Sequence, residues 1–255
     1  MSEKGQRWEQ MGAASGLLAT LLFVVAFIVF LGTSPGGDPS LPNIAQADTA
    51  PAFLAAHLSA IRVVVLLNSL GIALFLWFLG SLWTTLREAE GEAGRGSTVA
   101  VIGGVAGSVL VLAGLALIAT AGLSTSPTQA DNVATLYTAS ALLVALGGGV
   151  LSVFFFGVAK VILQTHALGR WLGILAFIAG VVSVFGFMTP FFEANVLNAA
   201  TGALGRWAGS AAFVVWLFLA SAAMTLEERR LIRDEASTSG GPGMTEPQAG
   251  GGGGQ

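Results

Sequence analysis

Residues 51–86 read PAFLAAHLSAIRVVVLLNSLGIALFLWFLGSLWTTL, and from residue 63 to residue 86 the stretch holds no charge. An α-helix rises about 1.5 Å per residue, so about twenty apolar residues cross the ~30 Å hydrocarbon layer of a bilayer. Arg62 and Arg87 bracket the run, and one amide, Asn68, lies inside it. A polar side chain in lipid is costly unless neighbouring helices shield and bond it. The stretch therefore predicts a transmembrane helix that belongs to a bundle.

The rest of the chain supplies the neighbours. Hydrophobic residues make up 54% of the sequence and charged ones only 10%, against about a quarter charged in a soluble domain. Mean hydropathy is +0.79. A net charge of −3 provides no pull toward nucleic acid, so no such partner is expected. Cysteine is absent, which excludes disulfides, thiolate nucleophiles and thiolate-bound metals. Lysine occurs only at Lys4 and Lys160 while Arg, Ala, Gly and Val abound, the bias of a GC-rich bacterial genome.

Working outward, residues 1–10 are polar, with Trp8 placed as an interfacial anchor. The first apolar run, 12–32, reads as an uncleaved span. Ala45-Gln46-Ala47 has the shape of a signal-peptidase site but lies too far downstream. Pro51 opens an interfacial lead into the second span, 62–86. Further spans fall at 99–123, 136–161 (with Asp131 as its N-cap), 171–189 and 207–226. Residues 237–255 are rich in Gly, Ser and Pro and are expected to be disordered. The predicted fold is all-α: an integral membrane bundle of six transmembrane helices over residues 11–236. Six spans put both termini on one side. With the N-terminus inside, Lys4, Arg7, Arg87, Arg95, Lys160, Arg170, Arg229, Arg230 and Arg233 face the cytoplasm and only Arg62 and Arg206 face out. Nine basic residues against two predict that both N- and C-termini are cytoplasmic.

The turns on the outer side share a pattern. Thr33-Ser34-Pro35, Thr125-Ser126-Pro127 and Thr189-Pro190 are followed by Asp38, Asp131 and Glu193 respectively. Helices stop at Pro and acids cap the next helix, so the pattern has an ordinary explanation as well as a duplication of hairpins.

Residues able to carry chemistry are few. His57 and His166 fall at opposite ends of the spans, a bilayer apart, and cannot share a haem iron or a zinc. No G-x-S-x-G elbow, intramembrane carboxylate pair or phosphate-binding loop occurs. The expectation is a non-enzymatic protein with no catalytic residue, cofactor or metal. Small residues four apart (Gly12 and Gly16, Gly103 and Gly107, Ala145 and Gly149, Ala176 and Gly180, Gly205 and Gly209) predict close helix crossings. Gly147, Gly148 and Gly149 lie mid-span, where they serve either as a crossing point or as a bend that moves during transport. Asn68 shares a helical face with His57 and serves either as interhelical glue or as the polar wall of a pocket. Arg62 either reaches lipid headgroups or pairs with Glu193.

The opening helix after Arg7-Trp8, the long outer loop and the outer lead that ends at Arg62 resemble an uncharacterised family of six-helix bacterial integral membrane proteins, a domain of unknown function. The resemblance implies a fold and a location in the plasma membrane, and no activity. Two functions fit the sequence. One is an accessory or structural membrane protein that binds lipid or a partner, the partner being another membrane protein or a second copy of the chain. The other is a small transporter or permeation pathway for an uncharged or apolar solute. The first is expected to show a closed core and an exposed face of small residues, the second a pocket around Asn68 and Gly148 at mid-depth.

Overall fold

In lipid only an intrahelical ladder satisfies every backbone N–H and C=O of a single span, so long uncharged runs fold as helices. A computed structural model describes residues 3–32, 48–91, 94–124, 130–188 and 203–239, and no strand occurs among them. The elements are α1 (Glu3–Leu31), α2 (Ala50–Ala56), α3 (Leu58–Glu90), α4 (Arg95–Leu123), α5 (Ala130–Thr165), α6 (Arg170–Met188) and α7 (Ala203–Ser239). All but α2 are long and apolar enough to cross a membrane. The fold is the six-span all-α bundle that the sequence predicts. Large apolar side chains cover its outside, among them Leu66 and Trp77 on α3, Ile102 and Val109 on α4, and Phe177 and Phe185 on α6. A surface of that kind belongs in hydrocarbon, since in water it would aggregate.

The six long helices stand in a ring in chain order. α1 packs on α3, α3 on α4, α4 on α5, α5 on α6 and α6 on α7, and α7 closes on α1. Every neighbouring pair is antiparallel. The start of α1, the end of α7 and the α3–α4 and α5–α6 turns lie at one end, here the terminal rim. The other connections lie at the far rim.

Glycine sets the closeness of the ring. A Cβ on Gly12 or Gly16 would collide with the hydroxyls of Ser81 on α3 and Ser221 on α7, so α1 lies almost backbone to side chain against both. A Cβ on Gly103 would lie 2.6 Å from the backbone nitrogen of Phe154, and one on Gly157 would lie 2.9 Å from the backbone of Ala100. These contacts join α4 and α5 along their length, and packing of this kind drives association where water exclusion cannot.

The turns at the terminal rim are tight. Glu90 accepts hydrogen bonds from the backbone N–H groups of Gly96 (2.8 Å) and Ser97 (3.0 Å), so the last residue of α3 caps the start of α4. Between α5 and α6, His166 and Leu168 both hold positive φ, at 61° and 60°, beside Gly169 at 86°. Two side chains in the left-handed region make this the most strained connection among the described residues.

Three boundaries differ from the sequence expectation. The lead into the second span is a separate short helix, α2, because the backbone bends at His57 (φ −119°, ψ 20°) before α3 begins. Asp131 lies inside the first turn of α5, where its charge favours the helix N-terminus, instead of capping it. α7 remains helical to Ser239, beyond residue 237 where the disordered tail was expected to begin. Residues 240–255 lie outside the described residues, as do the Thr33, Thr125 and Thr189 turns, Asp38 and Glu193.

Candidate functional site

Across the ring the interior is filled by aromatic side chains. Phe75 on α3 meets Phe154 on α5 edge to face, with ring centroids 5.7 Å apart, and meets Phe213 on α7 at 5.0 Å. Trp216 stands nearly perpendicular to both Phe154 (5.4 Å) and Phe155 (5.6 Å). Edge-to-face pairs place ring hydrogens on ring faces and add about 0.5–1.5 kcal/mol each beyond packing alone. The one polar group in the cluster is satisfied, since the Trp216 indole N–H donates to the Leu172 carbonyl at 3.2 Å. From here to the terminal rim the interior stays solid. Leu79, Leu82, Leu86, Val158, Ile162, Leu172 and Leu217 are all buried.

Two helical turns toward the far rim the interior changes. Seven residues turn a helix through about 700°, within about 20° of two full turns, and raise it by about 10 Å. Asn68, Gly148 and Gly209 precede Phe75, Phe155 and Trp216 by seven residues on three helices that run in the same direction. They therefore form one layer on the inner faces of α3, α5 and α7, directly beyond the aromatic rings. The layer is only half-buried. A Cβ on Gly148 would meet nothing within 4 Å, and one on Gly209 only the Ser183 Cα at 3.9 Å. Large side chains pack one level of the ring, and at the next α3, α5 and α7 contribute an amide and two glycines in their place.

The glycines of α5 divide accordingly. The helix runs unbroken through all three. A Cβ on Gly147 would lie 3.0 Å from the Gly107 carbonyl on α4, and one on Gly149 would lie 2.7 Å from the Phe187 ring on α6. Gly147 and Gly149 are crossing points, while Gly148 between them faces open space.

Among the described residues Asn68 bonds no other helix. Its Nδ2 donates to the Val64 carbonyl one turn back on α3, at 2.8 Å. That bond leaves its carbonyl oxygen and second N–H without a partner among the described residues, and the buried Ser183, whose Cα lies against Gly209, is a second polar residue at this level. His57 belongs to a different place. At the bend between α2 and α3 its Nδ1 donates to the Phe53 carbonyl at 3.0 Å and its ring lies on that of Phe53 at 4.6 Å. It helps seat α2, whose Ala50 and Leu54 are buried against Val133 and Tyr137 of α5 and Ala121 of α4. Arg62 is exposed on α3 at the far rim, and the acid proposed as its partner, Glu193, lies outside the described residues.

The structure therefore joins Asn68 and Gly148 in one layer and separates His57 and Arg62 from it. Sequence reading missed the aromatic floor and the role of Gly209. The signal was present in the repeated spacing of seven from Asn68, Gly148 and Gly209 to an aromatic residue, but only the ring order says that the three pairs face one another. No family model matches the sequence, and no curated protein or solved structure matches it either.

Proposed function

We propose that this protein is a multi-pass component of a bacterial plasma membrane, with both termini in the cytoplasm, that binds a lipid or a membrane partner and catalyses no reaction. The observation that carries the reading is the aromatic cluster of Phe75, Phe154, Phe155, Phe213 and Trp216, which lies across the ring immediately below the unfilled layer. Open space beside Gly148 above such a floor suits a molecule that is held and not passed. Asn68 and Ser183 supply the few hydrogen-bonding groups of this layer, so the occupant we infer is an acyl chain or another apolar body carrying a hydrogen-bonding group. The orientation rests on Arg87, Arg95, Lys160 and Arg170, which belong to the terminal rim, against Arg62 at the far rim.

The empty space beside Gly148 favours a second reading, a permeation pathway for an uncharged or apolar solute. Conduction would require the aromatic rings to part. The two readings separate in one preparation. The full-length protein, extracted from its native membrane, should retain a lipid or protein in fixed proportion, and liposomes containing it should be no more permeable to small uncharged solutes than empty ones. Protein-dependent flux would replace the binding reading with the permeation reading. The orientation is tested by labelling cysteines placed at Gly94 and Ser124, of which only Ser124 should be reached from outside the cell.

A further inference from the structure

At the terminal end of α3, Thr84, Arg87, Glu88 and Gly91 line a shallow, open recess. Their spacing of three, four and seven places them on one helix face. Leu86, at the same level, is buried and closes the apolar run, so the recess begins where hydrocarbon gives way to headgroups. The Arg87 guanidinium lies 5.3 Å from the centre of the Trp83 ring, which holds it by cation–π attraction. Among residues 11–226 whose side chains the structure describes, no carboxylate pairs with Arg87 and no basic group pairs with Glu88. The nearby Glu90 is engaged in capping α4. The Thr84 hydroxyl donates to the Ser81 carbonyl at 2.7 Å, which leaves its oxygen free to accept.

We propose that this recess binds the headgroup of a phosphodiester lipid that carries a primary ammonium, of the phosphatidylethanolamine class. The phosphate takes the Arg87 guanidinium, whose planar fork matches its oxygens. The ammonium donates to Glu88 and to the Thr84 oxygen. A purely anionic headgroup satisfies Arg87 but brings its charge against Glu88. A trimethylammonium headgroup has no N–H for Glu88, and the aromatic face that would otherwise attract it is covered by Arg87. The recess therefore selects on both charges of the headgroup together. The proposal rests on the reading of the chain as a lipid-binding membrane protein and adds a surface site distinct from the interior layer.

The test is competition on the full-length protein in mixed micelles, with phosphatidylethanolamine, phosphatidylglycerol and phosphatidylcholine of identical acyl chains present equally and bound lipid counted by native mass spectrometry. The wild type should retain phosphatidylethanolamine over each of the others by about tenfold, the scale of one charge-assisted hydrogen bond. Glu88→Gln should erase the preference over phosphatidylcholine, Glu88→Asp should keep most of it, and Arg87→Gln should lower retention of all three. Both side chains are exposed, so an unchanged melting temperature should accompany each variant. Equal retention of the three lipids by the wild type, or a preference that survives Glu88→Gln, would overturn the proposal. Displacement by soluble glycerophosphoethanolamine at the concentration of the lipid would overturn the lipid as ligand in favour of a free compound of the same chemistry. Solute flux in liposomes would remove the binding reading itself, whereas unselective lipid retention without flux removes only the headgroup assignment.

Discussion

The two halves of the ring use the same helices in different ways. On the terminal side of the aromatic cluster, facing positions carry Leu, Phe, Val and Ile that fill the interior, and the turns are fixed by Glu90 and by the strained backbone at His166 and Leu168. On the far side the interior positions of α3, α5 and α7 are Asn68, Gly148 and Gly209. Burial there moves to one flank, where α2 covers α4 and α5. One half spends its side chains on packing, and the other leaves room beside Gly148, near the Asn68 amide and Ser183. Adjacent levels of one bundle can thus differ by a rotation of side-chain size, with no change in backbone. A closed half is also what the proposed binding would need as a floor.

Replacing a ring of the floor should produce the largest effect. Phe154 is fully buried and touches Phe75, Phe155 and Trp216. In a bilayer the unfolded reference already lies in hydrocarbon, so the loss is mainly the cavity contribution, and Phe154→Ala should lower stability by about 2–3 kcal/mol. Melting of the detergent-solubilised protein measures it. A loss no larger than that from trimming an outward-facing side chain such as Leu66 would mean the floor is not packed.

Neighbouring glycines sharpen the comparison within one helix. Gly147→Ala places a methyl against the Gly107 carbonyl and the Val111 side chain and should cost about 1–2 kcal/mol. Gly148→Ala meets open space and should stabilise α5, by up to about 1 kcal/mol from helix propensity. Opposite signs at adjacent positions are expected in the same melting experiment. Equal losses would place side chains against Gly148 and close the layer.

The smallest effect concerns the terminal turn. His166 is exposed and holds a left-handed backbone just after α5, where Gly carries no Cβ penalty. His166→Gly should raise stability by about 0.5 kcal/mol, the relief of strain less the added chain entropy. Leu168→Gly should not, because Leu168 also packs against the core.

Much of this architecture was legible in the sequence, and the part that was not has a physical cause. Lengths of apolar runs mark the six spans, and small residues four apart mark the crossings at Gly12, Gly16, Gly103 and Gly107. Which face of a span turns inward is hidden, because lipid and protein interior are equally apolar. Phe75 is buried and Trp77, two residues on, is exposed, although nothing in their neighbours' polarity separates them. The same blindness concealed the floor. Asn68 was visible as the polar group of the second span, but its bond to Val64 depends on a rotamer, and its level opposite Gly148 depends on the ring order. The bend at His57 has no Gly or Pro to announce it. It arises from the packing of Ala50 and Leu54 against α4 and α5.

The central claim is that the ring is open inside at the level of Gly148 and sealed toward the terminal rim. The chain has no cysteine, so single cysteines report without background. Gly148→Cys and Ala159→Cys lie on the same helix about 16 Å apart along its axis, the first beside empty space and the second fully packed at 2% exposure. The measurement is their rate of modification by a small neutral methanethiosulfonate in the reconstituted protein. Modification of the Gly148 variant at least about tenfold faster than the Ala159 variant is the predicted result, and equal rates would contradict the account.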